Sequence, residues 1–469
     1  MIGQRINRIV VVGGGISGLA AAHRLAERGK TNVTLIEASS RLGGTIQTEY
    51  RDDFLIERGP DSFISEKPEA LDLAKRLGLE PQLIQTNEKY RRSFIVRDGR
   101  LRAVPEGFQL LAPSRIWPFL TSDIFSLPAK ARIAMDLVLP RKSTNGAQDE
   151  SLASFVRRRL GQEALERMAQ PMVGGIYTAD PETLSLRATL PRFLDMERKH
   201  RSLILAMLRQ GNVQKSGTSG ARYSLFLSFD RGMQVLVDAL TQIKAEIRLN
   251  TRAESLKPDN QAWTIMTNTG EQIKADAVCL AVPAYVAAKL LNDLNSNLAA
   301  KLKQIKYAST ATINFAYKRS AINHPLEGFG FVVPFIEKRS LIACTFSSVK
   351  FSGRAPANHV LLRAFAGGAL QPDIFALDES ELAAKVETDL RELLGITAKP
   401  LFTEVAKWER SMPQYEVGHL DRITEIENEV SKLPGLTLAG NAYRGAGIPD
   451  CIRSGEAAAE TILQNLEKS

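Results

Sequence analysis

Apolar and polar positions alternate with two distinct rhythms along the chain. Arg8–Val12 runs into continuous β-branched residues, the mark of a parallel strand buried on both faces. Glycines follow. Leu19, Ala22, Leu25 and Ala26 then share one side of a helix reaching Arg28, with Gly29 placed to cap it. Asn32–Glu37 repeats the buried-strand pattern, so the chain opens as a βαβ unit. Residues 105–212 hold helix-forming runs punctuated by proline, among them Ala129–Leu139, Ser151–Leu160 and Gln162–Ala169. Residues 196–222 are basic and end in a Gly/Ser/Thr stretch, Gln214–Tyr223, that reads as a mobile surface loop. Strand-like runs at Ala311–Tyr317, Phe329–Phe335, Leu341–Phe346 and His359–Ala366 predict a mainly antiparallel sheet, with Glu379–Leu394 as a helix packed on it. Leu436–Ala439 reads as a last buried strand and Pro449–Leu466 as a last helix.

Composition narrows the class. A chain of 469 residues implies two or three domains, and 44% apolar with 24% charged residues excludes disorder, collagen and coiled coil. Cys279, Cys344 and Cys451 are far apart with no CxxC, and the five histidines show no ligand spacing. Neither a disulfide framework nor a metal site is expected, and a reducing cytoplasm fits best. The net charge of +9 points to an anionic partner: nucleic acid, a lipid surface or an acidic substrate. No basic run interleaved with aromatics speaks for nucleic acid. No apolar stretch reaches the roughly 20 residues that span a bilayer. The apolar run before Gly13 is too short for a signal-peptide core. A soluble protein, or one lying on a membrane face, is expected.

The chemistry begins at Gly13-Gly14-Gly15-Ile16-Ser17-Gly18, a GxGxxG between strand and helix. Gly13 permits the tight turn, Gly15 lets backbone approach a pyrophosphate, and Gly18 lets the helix pack on the strand. The helix start offers unpaired N–H groups and a positive dipole end to phosphate. Glu37, nineteen residues past Gly18, stands where a carboxylate accepts ribose hydroxyls and repels the 2′-phosphate of NADP. Arg41-Leu42-Gly43-Gly44 suits a second approach of backbone and cation to the pyrophosphate, and Gly59-Pro60-Asp61-Ser62 is another turn of small residues. At the far end a strand enters Gly445-Ala446-Gly447-Ile448-Pro449 and a helix follows, with Pro449 suited to its first turn. A ligand reaching across both chain ends favours FAD over NAD.

These segments resemble the FAD-dependent, oxygen-using porphyrinogen oxidases of haem synthesis, the protoporphyrinogen and coproporphyrinogen III oxidases of the amine-oxidase-like flavoprotein superfamily. The resemblance runs through GGGISGLAAAHRL (13–25), EASSRLGGTIQT (37–48), ERGPDSF (57–63), PMVGGIYTADPETLS (171–185), FDRGMQVL (229–236), KWERSMPQYEVGH (407–419) and GNAYRGAGIPDCIRSGE (440–456). It implies an α/β fold with three parts: a Rossmann-like FAD domain made of residues 1–85, 223–300 and 411–469; a substrate domain on an antiparallel sheet, 86–104 and 301–410; and a helical, membrane-facing subdomain, 105–222. FAD contacts carried over by motif are Gly13–Gly18, Glu37, Ala38, Arg41, Gly43, Gly44 and Gly59–Ser62, with Ala253 at the adenine end. Trp408 and Ala446–Ile448 would lie near the flavin. Trp408 has an alternative as an ordinary core aromatic, and Tyr415 and Tyr443 read as packing.

The resemblance implies a six-electron oxidation in three two-electron steps, hydride passing to flavin N5 and oxygen leaving as peroxide. Positioning and water exclusion are then the protein's share, and no catalytic acid or base is named. Arg suits the substrate's propionates. Where relatives hold an arginine before the strand Phe94–Arg97, this chain has Ser93, with Arg91 and Arg92 just before it. Arg92 is the candidate, against a plain surface charge. Gly174 and Gly175 would form a flat wall against the macrocycle, or a simple turn. Protoporphyrinogen IX and coproporphyrinogen III stay undivided, with the surplus charge leaning to the second; a homodimer also stays open. Arg192–Arg209 would lie on anionic lipid, or be a solvated helix face. The competing readings are an amine oxidase or carotenoid desaturase, with Tyr443 as an aromatic cage, and a non-enzymatic basic nucleotide-binding protein.

Overall fold

The computed structural model describes residues 7–28, 31–109, 111–142, 149–214, 225–259 and 262–468. Gly29 and the stretch 215–223 lie outside them. Five parallel strands form one sheet in the order Glu246–Arg248, Thr31–Ile36, Asn7–Val12, Ala277–Leu280, Leu436–Leu438. The unbroken apolar run of the first strand is explained by its two covered faces. Ile9 and Val11 enter a core with the first and last helices, while Val10 and Val12 enter a second with Trp263, Ile265 and Leu298. The first helix spans Ile16–Glu27 and the last Ile448–Lys468. They cross backbone to backbone: a Cβ on Gly455 would stand 2.1 Å from the Ser17 carbonyl oxygen.

A second sheet has the order Phe402–Pro413, Tyr307–Lys318, His359–Gly367, Ala343–Phe346, Gly330–Val332, Ser93–Arg97, Arg100–Ala103. All neighbours are antiparallel except Gly330–Val332 with Ser93–Arg97. The run expected at Phe329–Phe335 keeps only three residues as strand, because Pro334 brings no N–H to a ladder and Phe335–Glu337 turns tightly after it. Along His359–Gly367 alternate residues part company. Val360, Leu362, Ala364 and Ala366 pack on the helix Glu379–Leu394, while Leu361, Arg363, Phe365 and Gly367 face the other way.

Helices from Ile116 to Gln214 build a further core, centred on Phe155, Leu165, Phe193 and Met207. The basic stretch Arg192–Arg209 is two helices, Pro191–His200 and Leu203–Gln214, broken where Arg201 takes φ 66°. Phe193, Met196, Leu203 and Met207 sit in the core, so the apolar face that a lipid-lying helix needs is already spent inside. The exposed apolar surface of this layer lies elsewhere, on Ile116, Trp117, Leu120, Leu127, Met135, Val138 and Ile176. Among the described residues no helix is long and apolar enough to cross a membrane.

Candidate active site

The strand ends at Val12, Leu280 and Leu438 lie side by side, and the loops that leave them meet. Gly13, with φ 107°, turns so closely that a Cβ would stand 2.4 Å from Ala281 O. Gly18 is equally constrained, its Cβ position being 1.9 Å from Gly13 O. Gly15 differs: nothing lies within 4 Å of where its Cβ would be. The helix starts there with no side-chain cap, so its first N–H groups face open space. A pyrophosphate fits that opening. Gly43 N–H donates to Gly14 O at 2.8 Å and Gly15 bridges Gly43, which joins the second glycine pair to the first.

Glu37 accepts Gly14 N–H at 2.6 Å and Ser39 N–H at 2.8 Å. It organises the cradle, and each oxygen keeps a lone pair for a ribose hydroxyl. Ala38 is exposed beside it. Ala253 begins a strand shortly after Thr251, whose N–H donates to Glu37 O at 2.8 Å, so it belongs to the same end of the groove. Arg41 is tied into the second glycine pair. Its guanidinium folds back onto the carbonyls of Leu42, Gly44 and Ile46, and burial lowers its pKa.

Gly59 presses on the Thr45 carbonyl, where a Cβ would come within 1.6 Å. Beneath this turn lies a charge cluster that sequence reading missed. Lys350 Nζ reaches Asp61 Oδ2 at 3.1 Å and Ser62 Oγ at 3.1 Å, while Arg363 donates to Gly59 O and faces Asp61 at 3.5 Å. Burial alone would raise the Asp61 pKa, but these two cations hold it well below the carboxylate range. The available signal was Arg363 itself, a lone charge in an otherwise apolar strand. Pro60 completes the turn, half-buried.

Close by, Glu57 is 3% exposed and accepts Met233 N–H at 2.7 Å and the Thr48 hydroxyl at 2.8 Å. Burial pushes its carboxyl from the ordinary 4.5 up to about 7. The folded chain therefore keeps this proton where the unfolded chain has lost it. The resulting stability is full below about pH 4.5 and disappears as pH rises through about 7. Glu57→Gln should flatten that part of the profile. Denaturation midpoints of both proteins at pH 5 and pH 8 check it: wild type should lose more than the variant.

Trp408 is pinned above the turn by Nε1–H donation to Arg58 O at 2.9 Å, and it pairs with Thr310 in the sheet. Three strand rows run from it across one face: Thr310–Gly367, then Thr312–Phe365–Ala343–Val332–Ile95, then Asn314–Arg363–Thr345–Gly330–Ser93. Phe365, Thr345 and Val332 keep partly open surface. At strand spacings of ~4.8 Å and ~3.3 Å per residue, these five-strand rows cover a floor of about 19 Å by 13 Å. Gly174 and Gly175 stand over it, but not as a turn. They occupy the last turn of the helix Gln170–Tyr177, which follows a π-type widening at Leu165–Ala169, where Pro171 brings no N–H to the helix. A Cβ on Gly175 would meet Val332 at 3.7 Å, and Thr178 closes the helix in the left-handed region at φ 49°. Gly174, Thr178, Val333 and Gly367 share a crevice.

Arg92 is not brought against these glycines. It lies exposed before Ser93, three residues from the Ile95–Val332 row, about 10 Å along the strand. Ala446, Gly447 and Ile448 stand at the start of the last helix, with Ile448 in the core. Tyr443 is 7% exposed and its hydroxyl has no partner among the described residues. Its ring belongs to the core with Val12 and Leu280, a poor position for an aromatic cage.

Comparison with known proteins agrees with this geometry. Residues 16–463 match the family of flavin containing amine oxidoreductases. Coproporphyrinogen III oxidase of Bacillus subtilis (strain 168) is 36% identical, covering 98% of this chain and 98% of its own. The chloroplastic protoporphyrinogen oxidase of Oryza sativa subsp. japonica is 32% identical, covering 98% and 88%. A crystal structure from Exiguobacterium sp. 255-15, named for protoporphyrinogen oxidase, superposes with a TM-score of 0.88 at 33% identity, over 99% of this chain and all of that one. Matched in sequence over nearly its whole length, this chain belongs to the flavin containing amine oxidoreductase family, and its cofactor is FAD.

Proposed function

We propose that this protein is an oxygen-using oxidase that converts a porphyrinogen to a porphyrin in haem synthesis, with coproporphyrinogen III preferred. The sheet face beside the glycine cradle carries this reading: Phe365, Thr345 and Val332 keep partly open surface there, and a flat macrocycle needs a roof without side chains above them. Gly174 and Gly175 supply that roof in their helix. Bound in the cradle, FAD supplies a two-electron acceptor that oxygen can renew. Phe365, Val332 and Trp408 are placed to hold a macrocycle flat and keep water away, so that positioning rather than a strong base is the chain's contribution. The open, non-aromatic roof favours a tetrapyrrole over a small amine, as does the buried position of Tyr443.

The preference for four propionates rests on charge. Arg91 and Arg92 are exposed just beyond the Ser93 row, at the end of the floor away from Trp408. Arg92 would grip a propionate at the outer rim. We further infer the three-part division at the boundaries given above. Contact with a lipid surface would use the exposed Trp117, Leu127 and Val138 with Arg115 and Lys130 nearby.

Aerobic assays with the two porphyrinogens side by side test the proposal. Porphyrin fluorescence and peroxide should rise fastest with coproporphyrinogen III. Arg92→Ala should lower kcat/KM for that substrate more than for protoporphyrinogen IX, by about tenfold for one charged hydrogen bond. A rate no faster than autoxidation would overturn the function.

A further inference from the structure

The turn Asn441–Ile448 holds the residues read as flavin-facing, and it is bounded by Gly440 and Gly445, which take φ 138° and 136°. Gly440 N–H donates to Ser454 Oγ at 3.0 Å, Asn441 Nδ2 to Ser411 O at 3.1 Å and Arg453 to Arg444 O at 3.2 Å, and three further bonds come from one short segment. The Tyr415 hydroxyl accepts Gly445 N–H at 2.8 Å and donates to Asn441 O. His419 donates from Nε2 to Tyr443 O at 2.8 Å, since a carbonyl partner requires the proton on that nitrogen. The two rings lie flat on each other, centroids 4.1 Å apart and planes at 13°. Tyr415 is 2% exposed and His419 0%. The ties thus reach residues 441, 443 and 445 in succession.

The same segment is anchored on its other side to the helical layer. Ser185 N–H donates to Tyr415 O at 2.7 Å, Val417 N–H to Thr183 O at 2.9 Å, and Gly418 N–H to Asp149 Oδ2 at 3.0 Å. Those ties hold the segment itself in place, so the phenol and the imidazole act as fixed posts from which the glycine-bounded turn is suspended.

We propose that Tyr415 and His419 are positioning residues that fix the Asn441–Ile448 turn against the flavin and thereby set the flavin's surroundings. The proposal rests on the reading of Ala446–Ile448 as flavin-facing. Neither side chain touches the reacting atoms in this account; both act through backbone.

Tyr415→Phe keeps the stacked ring and removes both hydroxyl bonds. FAD titrated into the apoprotein should bind about tenfold more weakly. The visible absorption bands and the reduction potential of bound flavin should shift, while helix content by circular dichroism stays the same. His419→Gln, which retains a donor, should hold FAD nearly as wild type does, and His419→Leu should resemble Tyr415→Phe. Tyr317→Phe is the control: that hydroxyl is also buried, has no partner among the described residues, and lies on the sheet face packed by the helix Glu379–Leu394. It should change nothing. Wild-type affinity and spectrum in Tyr415→Phe, or identical behaviour of His419→Gln and His419→Leu, would overturn the proposal. Should Tyr415→Phe not fold, the His419 pair decides it. Wild-type protein that takes up no FAD would instead remove the functional reading beneath it.

Discussion

Gly15→Val should fold, purify in normal yield and carry no FAD. With nothing within 4 Å of its Cβ position, the protein itself has room for a side chain there. The branched residue would occupy the opening at the uncapped helix start, where the pyrophosphate belongs. The cost falls on the ligand alone. Gly18→Val and Gly59→Val provide the contrast, because their Cβ positions lie 1.9 Å from Gly13 O and 1.6 Å from Thr45 O. Those variants should be destabilised with or without cofactor. Flavin absorbance of the purified proteins, read beside their melting curves as apoproteins, separates the cases. Flavin retained in stoichiometric amount by Gly15→Val would show that the pyrophosphate lies elsewhere.

Arg159→Met should loosen the helical layer by roughly 3–5 kcal/mol, the usual cost of removing one partner from a buried ion pair. Arg159 is 1% exposed and donates from Nε to Asp136 Oδ1 at 2.7 Å, and from Nη2 to Arg201 O at 2.7 Å. Asp136 is 0% exposed and also accepts the Ser202 hydroxyl at 2.7 Å. Without the guanidinium its charge has no counterpart in the core. Adding Asp136→Leu should restore much of the loss, since the unpaired charge goes with it. Hydrogen exchange localises the effect: amides of Leu152–Arg159 and Leu203–Gln214 should lose protection, and those of the parallel sheet should not. Equal loss in both regions would mean that the layers unfold as one.

The cradle was legible in the sequence because each of its glycines answers a local demand. A positive φ at Gly13 and a helix resting on Gly18 are consequences of a few neighbouring residues. The apolar strand runs and the last helix were readable for the same reason, periodicity being a short-range property. What stayed hidden depends on distant partners. Lys350 and Arg363 converge on Asp61 only through the pairing of the antiparallel sheet. Gly174 and Gly175 look like a turn by propensity, but packing around Val173 keeps them helical, a tertiary override of about 1 kcal/mol for each glycine. The basic run at Arg192–Arg209 hid its break at Arg201, where core burial on both sides outweighed helical continuity.

The crossing of the first and last helices has a temporal consequence. The strand ending at Val12 stands in the middle of its sheet, flanked by Ala277–Leu280, which in turn waits for Leu436–Leu438. During synthesis the earliest βαβ unit emerges with a ready phosphate nest but with half its walls still unmade. Contacts of such long sequence separation form late and slowly. Cofactor loading is thereby tied to completion of the final helix, and a shortened product lacking Gly455 would be left with an open nest and bare apolar strands, ready prey for quality-control proteases.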